Sequence, residues 1–337
     1  MHEKQGTHPV LAGRIRSFGA NPVITWFRAH LGPLVGLLIL CIIVSLISDK
    51  FLTRDNFLNI LKSISTNAIL SCALTMVIVM GLIDISVGSI TGLSGIVCAT
   101  LISLYGFPVW LSVSVCLVIG VTLGLFNGFF IANIKVPAFI ATLATQNIAR
   151  GMCQVICNGS PVRVSVGQFT VIGTATFMGG VSIVVLYAVV CVAITCVLMY
   201  KTRLGPSLFA IGGNQVAADY SGINIKRMIK LPYIIGGLLA AVCGIVWTAR
   251  LGSGTPTLGT NFELDAIAAT ALGGTSMSGG RGSIGGTMIG VFIIGIITNG
   301  LNLINVNSFY QLVVKGMVIL IAVVIDIFQK NRLEKAV

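Results

Sequence analysis

Apolar runs of about twenty residues alternate with short polar breaks along most of the chain. Ten such runs fall at 31–48, 64–82, 84–104, 107–131, 136–157, 180–200, 231–250, 262–276, 283–304 and 310–328. A helix of about twenty residues is about 30 Å long, the thickness of a bilayer's hydrocarbon core. The pattern therefore predicts an all-α integral membrane protein of about ten transmembrane helices. Gly, Pro and polar residues inside several runs predict that some helices are broken or tilted. Residues 49–63 read as a short amphipathic helix on the outer surface. Residues 158–179 open on Asn158-Gly159-Ser160-Pro161 and read as a turn followed by an exposed strand or loop. Runs two to five and seven to ten start from opposite faces of the membrane, which permits an inverted repeat.

The longest polar break, 201–230, holds Lys201, Arg203, Lys226, Arg227 and Lys230 against a single acid, Asp219. Membrane proteins concentrate such charge on the cytoplasmic side. Ten crossings place both termini inside, with Lys4, Arg14, Arg16, Arg28, Lys135, Arg281, Lys330, Arg332 and Lys335 beside that loop. The outside segments keep fewer cations: Lys50, Arg54, Lys62, Arg150, Arg163 and Arg250. The segment 262–276 is short and opens with Glu263 and Asp265, but only a full crossing there keeps the basic tail inside. The chain divides into a cytoplasmic segment 1–30, one membrane domain 31–328 and a cytoplasmic tail 329–337. The first apolar run is a full span preceded by basic residues and reads as an uncleaved anchor.

Composition agrees. The chain is 55% hydrophobic and 9% charged, against about 25% charged in soluble domains, so lipid is its solvent. The formal charge of +12 follows topology. It does not interleave with aromatics along a groove, which argues against nucleic acid. The nine cysteines lie mostly in apolar runs and read as small buried hydrophobes. Cys153 and Cys157 share a helix face, but no His or acid accompanies them, so no metal site is expected. The histidines are His2, His8 and His30, all ahead of the first run.

Gly280-Arg-Gly282-Ser-Ile-Gly285 matches GxGxxG, but a membrane span precedes it and no acid follows until Asp326, so no dinucleotide site is expected. No phosphate-binding P-loop occurs. Glycine ladders (Gly120, Gly124, Gly128; Gly282, Gly286, Gly290) predict flat helix faces for close packing within the chain, with a subunit contact as the alternative. Asp84 and Ser86, and Glu263 and Asp265, stand at predicted helix starts and read as caps. Lys315 and Asp326, about three turns apart, can snorkel or pair across a subunit boundary. Thr142, Thr145, Gln146, Asn147, Asn299 and Asn302 are the polar residues inside spans. They are candidates for a solute path, and their scarce charge suits a neutral, hydroxyl-rich cargo. Interhelical hydrogen bonding is the competing reading for each. In the central loop, Gly213, Asn214, Ala217, Ala218, Tyr220, Ser221 and Gly222 describe a cap, a helix of about two turns and a glycine stop. Val216, Ala217 and Tyr220 share one face, suited to a groove on a partner.

Several longer stretches point to a family. These are 81–89 (Gly-Leu-Ile-Asp-Ile-Ser-Val-Gly-Ser), 136–145 (Val-Pro-Ala-Phe-Ile-Ala-Thr-Leu-Ala-Thr), 210–223, 263–283 and 299–304. In this order they resemble the permease subunits of bacterial monosaccharide ABC importers of the ribose, arabinose, xylose and galactose type. The family motif usually opens Gly-Gly-Ile-Asp, where this chain has Gly81-Leu82-Ile83-Asp84. The resemblance implies a bacterial inner-membrane, multi-pass subunit that pairs with a second permease subunit, most simply as a homodimer. It implies a cytoplasmic ATPase subunit with two nucleotide-binding domains, a periplasmic sugar-binding protein and a setting of membrane lipid. It also implies that 210–223 is the coupling helix. ATP and Mg belong to the ATPase, and this chain is expected to bind no cofactor or metal and to catalyse nothing. The alternative is a proton-coupled secondary carrier acting through Asp84 or Glu263. An intramembrane enzyme lacks any Ser/His or Cys/His pairing in the spans.

Overall fold

The computed structural model describes residues 30–335 apart from residue 178. The predicted N-terminal segment, with Lys4, Arg14, Arg16 and Arg28, and the last residues of the tail lie outside the described residues, as does the Asp326 side chain.

Each predicted apolar run contains a helix. These are α1 (Leu31–Ile47), α2 (Arg54–Ile78), α3 (Val87–Ser103), α4 (Val109–Phe129) and α5 (Ala138–Cys157), with α6 (Gly167–Thr174) in the following connection. Then come α7 (Ile183–Lys201), α8 (Leu204–Gly213), α9 (Gln215–Tyr220), α10 (Ile225–Leu251), α11 (Phe262–Leu272), α12 (Ile284–Leu303) and α13 (Ser308–Lys335). Five stretches are both long and apolar enough to cross a membrane: α2, α4 with the turn that follows it, α7, α10 and α12. The chain is a multi-pass membrane protein. α4 ends in a π-helical turn, Phe130–Ile134, closed by Lys135 at φ 65°.

Three expectations change. Residues 54–63 are not a separate surface helix but the first turns of α2, started by Thr53, whose hydroxyl accepts from the Asn56 N–H. The segment after Asn158 is more ordered than a loop. It contains α6, and Val162–Arg163 pairs antiparallel with Ser253–Gly254, while Thr176–Phe177 pairs with Val181–Ser182. The run at 262–276 yields a helix of only 11 residues, about 16 Å long. It stops at Gly273–Gly274, where Gly274 takes φ +84°.

The core follows from small residues. α2, α3 and α10 are largely buried, and their faces form the centre of the bundle. The α4 ladder does what its spacing predicts. A Cβ at Gly120 would strike the Gly237 carbonyl, one at Gly124 the Tyr233 carbonyl, and one at Gly128 the Lys230 Cα. α4 thus lies against α10 with backbone touching backbone. Gly286 and Gly290 do the same for α12 against α11. α10 packs on α3 and α4, and α2 packs on α11 and α12. All nine cysteines are free thiols.

Candidate functional site

Two regions collect the polar chemistry. The first is a buried chain of side-chain hydrogen bonds. The Asp84 carboxylate accepts from the backbone N–H of Ser86 at 2.8 Å and from its hydroxyl at 2.6 Å. The Ser86 oxygen accepts in turn from the Asn127 amide at 2.8 Å, and Asn127 accepts from the Thr145 hydroxyl at 2.5 Å. All four side chains are buried. They tie the loop before α3 to α4 and α5. Tyr233 on α10 adds a bond to the Ile83 carbonyl at 3.3 Å. Asp84 thus organises a helix start. Ser86 stands at the N-cap position, but its hydroxyl makes no capping bond, because Asp84 and Asn127 engage it.

The other two acids, Glu263 and Asp265, stand in the first turn of α11 and not at its N-cap position. The N-cap of α11 is Asn261 at φ 66°, with no side-chain capping bond. Glu263 is buried and meets the Gln146 amide at 3.3 Å. Nearby, Arg150 on α5 donates to the Pro256 and Leu258 carbonyls at 3.0 and 2.8 Å, fastening α5 to the loop before α11. Asp265 forms a 2.7 Å ion pair with Lys315. Lys315 therefore pairs within the chain, joining α11 to α13, where snorkelling or a contact across a subunit boundary was expected.

The path candidates separate by partner. The Thr142 hydroxyl returns to the Ala138 carbonyl at 2.9 Å. Asn299 and Asn56 exchange two amide bonds of 2.8 and 3.1 Å between α12 and α2. Asn302 accepts from Gln311 at 2.8 Å. The two asparagines hold helices to one another, while Thr142 closes on its own helix. Asn147 stays exposed, on a face of α5 shared with Ala144, Ile148, Gly151 and Val155. Sequence reasoning missed Asn127, Arg150 and Asn56. Their partners lie between 18 and 243 residues away along the chain, and nothing local announces them.

The second region is the central loop. α9 has its cap: the Asn214 side chain accepts from the Ala217 N–H at 3.0 Å. The Ser221 hydroxyl donates back to the Ala217 carbonyl at 2.8 Å, and Gly222 leaves the helix at φ +81°. Gly213, Val216, Ala217 and Tyr220 are exposed, with Tyr220 90% accessible. Ala218 turns inward and is 3% exposed, in the cluster with Ile229. It seats the helix and does not belong to the exposed face. A groove of about 970 Å³ runs between α9 and the turn after α4, lined by Lys135, Pro137, Gln215, Val216 and Tyr220 among others. Just before α9, a Cβ at Gly212 would strike the Val79 carbonyl and the Gly280 amide, and Gly280 N–H donates to that same carbonyl at 2.8 Å. The loop thus rests on the two connections that precede α3 and α12.

His30 and Ser283 are 2.7 Å apart, a pairing that sequence distance concealed. Ser283 caps α12 by accepting from the Gly286 N–H at 2.9 Å, a structural use of the hydroxyl. Among the described residues no His, Cys, Asp and Glu group has the makings of a metal site.

Comparison with known protein families matches residues 56–323 to the one described as the branched-chain amino acid transport system / permease component. The chain belongs to this permease family. It is 42% identical over 297 residues to the ribose import permease protein RbsC of Escherichia coli strain K12, covering 87% of this chain and 92% of the relative. It is 46% identical to RbsC of Bacillus subtilis strain 168, with 88% and 92% covered. It is 34% identical to the L-arabinose transport system permease protein AraH of Escherichia coli strain K12, with 89% and 91% covered. No solved structure matches. The chain is a transport subunit and not an enzyme.

Proposed function

We propose that this chain forms the membrane path of an ATP-driven importer for a monosaccharide of the pentose class. The observation that carries the reading is α9: a capped helix with an exposed Val216–Tyr220 face beside a groove, seated by Gly212 on the loops that precede α3 and α12. Such a lever passes motion from a soluble partner into the spans. The partner is a cytoplasmic ATPase with two nucleotide-binding domains, which holds ATP and Mg, and the permease itself binds no cofactor. A periplasmic sugar-binding protein delivers cargo at the opposite end. The names of the relatives support the cargo class: ribose and arabinose permeases.

The finer topology belongs to the same proposal. The single domain 31–328 makes about ten crossings of the bacterial inner membrane, with both ends and the 201–230 loop in the cytoplasm. Reciprocal packing of α10 on α3 and α4, and of α2 on α11 and α12, supports an inverted repeat. α5 is 20 residues long, enough to cross, yet it is not among the apolar spans. Its outward face carries Asn147 and the small Gly151 among apolar residues, and suits a solute path closed by a second copy of the chain. Reconstitution tests the whole. Sugar uptake into liposomes is expected only with the ATPase, the binding protein and ATP present. Uptake by the permease alone, or uptake abolished by an uncoupler, would sink it.

A further inference from the structure

A cavity of about 110 Å³ lies where α2, α10, α11, α12 and α13 meet, beside the Lys315–Asp265 pair. It is unusual for a membrane interior because its lining is rich in hydrogen-bonding groups that are only partly used. Trp247 is among its lining residues, and the Trp247 indole N–H is buried without a hydrogen-bond partner. Asn67 uses its oxygen to accept from Ser71 at 3.3 Å, which leaves its N–H₂ group to give. Asp265 engages Lys315 through one oxygen only, so the second oxygen accepts and two ammonium hydrogens remain. The Thr298 hydroxyl donates to the Ile294 carbonyl at 2.9 Å and keeps its acceptor lone pairs. A buried donor without a partner is destabilising, so a ligand that satisfies these groups gains what they lack.

The inventory specifies that ligand. Donors and acceptors are mixed, which suits hydroxyl groups, since each both gives and accepts. One cation faces one anion, so the cavity offers no net charge to an ion. Trp247 and Phe262, with ring centroids 5.8 Å apart, supply an apolar wall of the kind that covers the C–H face of a sugar ring. The volume is on the scale of one monosaccharide ring. Trp247 lies about 33 Å along α10 from Ile225, by helical rise, and so at the end of the bundle away from α9. We infer that this cavity is a receiving subsite for a single neutral monosaccharide on the entry side of the permease, with Trp247, Asn67, Asp265 and Lys315 as its contacts. The inference rests on the monosaccharide reading above and adds the place where the sugar is met.

The test titrates D-ribose into the purified full-length chain in nanodiscs, with tryptophan indoles labelled with nitrogen-15. Three indole signals are expected, one per tryptophan, and Trp247→Phe identifies one by its loss. The Trp247 signal should move on titration while the other two stay. In the complete reconstituted transporter, Trp247→Phe and Thr298→Met should each raise the KM for ribose at least about tenfold with ATP-dependent assembly intact. A transporter that carries ribose while the Trp247 signal stays fixed, or while both variants keep the parental KM, overturns the subsite and leaves the sugar reading standing; the cavity then holds ordered water only. A complete transporter that carries no monosaccharide from a panel of pentoses and hexoses overturns the reading and the subsite together.

Discussion

The Thr145 hydroxyl on α5 donates to the Asn127 side-chain oxygen on α4 at 2.5 Å, with both residues fully enclosed. Through Asn127 the bond reaches Ser86 and then Asp84. α5, whose outward face is the proposed path, is thereby fixed to the loop before α3. Replacing Asn127 with Leu leaves the buried Thr145 hydroxyl without its acceptor and removes one donor from Ser86, whose hydroxyl keeps its bond to Asp84. Each lost partner costs about 1–3 kcal/mol. The expected outcome is a lower midpoint for thermal loss of the monodisperse peak in detergent, together with loss of most uptake. A variant with parental stability and uptake would show that the chain of bonds is incidental.

Val216 and Tyr220 point away from the chain. Tyr220→Asp should therefore change the folding stability by no more than about 0.5 kcal/mol, the usual range for surface changes. It should abolish co-purification with the ATPase. Ala218→Leu is the contrasting change. Its side chain enters a packed cluster, so overpacking of about 1–3 kcal/mol is expected. A Tyr220→Asp chain that still recovers the full complex would remove α9 from the interface.

Gly124 allows no side chain, because a Cβ there collides with the Tyr233 carbonyl on α10. Gly124→Val should yield little folded protein. Gly36 on α1 has open space around it, and Gly36→Ala should be neutral or slightly stabilising, since glycine in a helix interior is about 0.5–1 kcal/mol worse than alanine. Recovery on size-exclusion chromatography checks both. Equal yields would mean that α4 and α10 do not lie backbone to backbone.

Gly151 on α5 also meets nothing within the chain, yet it shares the face with Asn147. Gly151→Phe should leave a folded protomer but block formation of a permease dimer, read by cross-linking in membranes, and should abolish uptake. A functional dimer carrying this substitution would place the subunit contact elsewhere.

What was legible in the chain was legible for local reasons. Twenty apolar residues must satisfy their own backbone in lipid, so hydropathy located the helices. Asn214 and Gly222 mark α9 because capping is decided within three or four residues. The α4 ladder declared a flat face. The shortness of α11 was hidden because hydropathy cannot see that Gly273–Gly274 ends the helix and that Ser276 N–H turns to the Arg281 carbonyl at 3.0 Å. α6 and the two small strand pairs were hidden for a similar reason, since Val162 finds its partner at Gly254. The site was the least legible part. A threonine in a span looks the same whether it closes on its own helix, as Thr142 does, or reaches a neighbour, as Thr145 does.

Lys315 and Asp265 offer the sharpest energetic test. Their side chains are 18% and 21% exposed, so neither is well solvated and each depends on the other. Removing one partner leaves a charge stranded in poor solvent, which in buried pairs costs about 3–5 kcal/mol, while removing both is often close to neutral. Water reaches this pair in part, so the expected losses are smaller, roughly 1–3 kcal/mol for Lys315→Met or Asp265→Leu alone. The double variant should recover most of that stability, because two apolar side chains then face each other across α11 and α13. It should not recover sugar uptake if the cavity beside the pair uses both groups. Thermal midpoints of the four proteins in one detergent give the coupling directly. Additive single losses would mean that the two residues do not interact, and α13 would then be held to α11 by apolar packing alone.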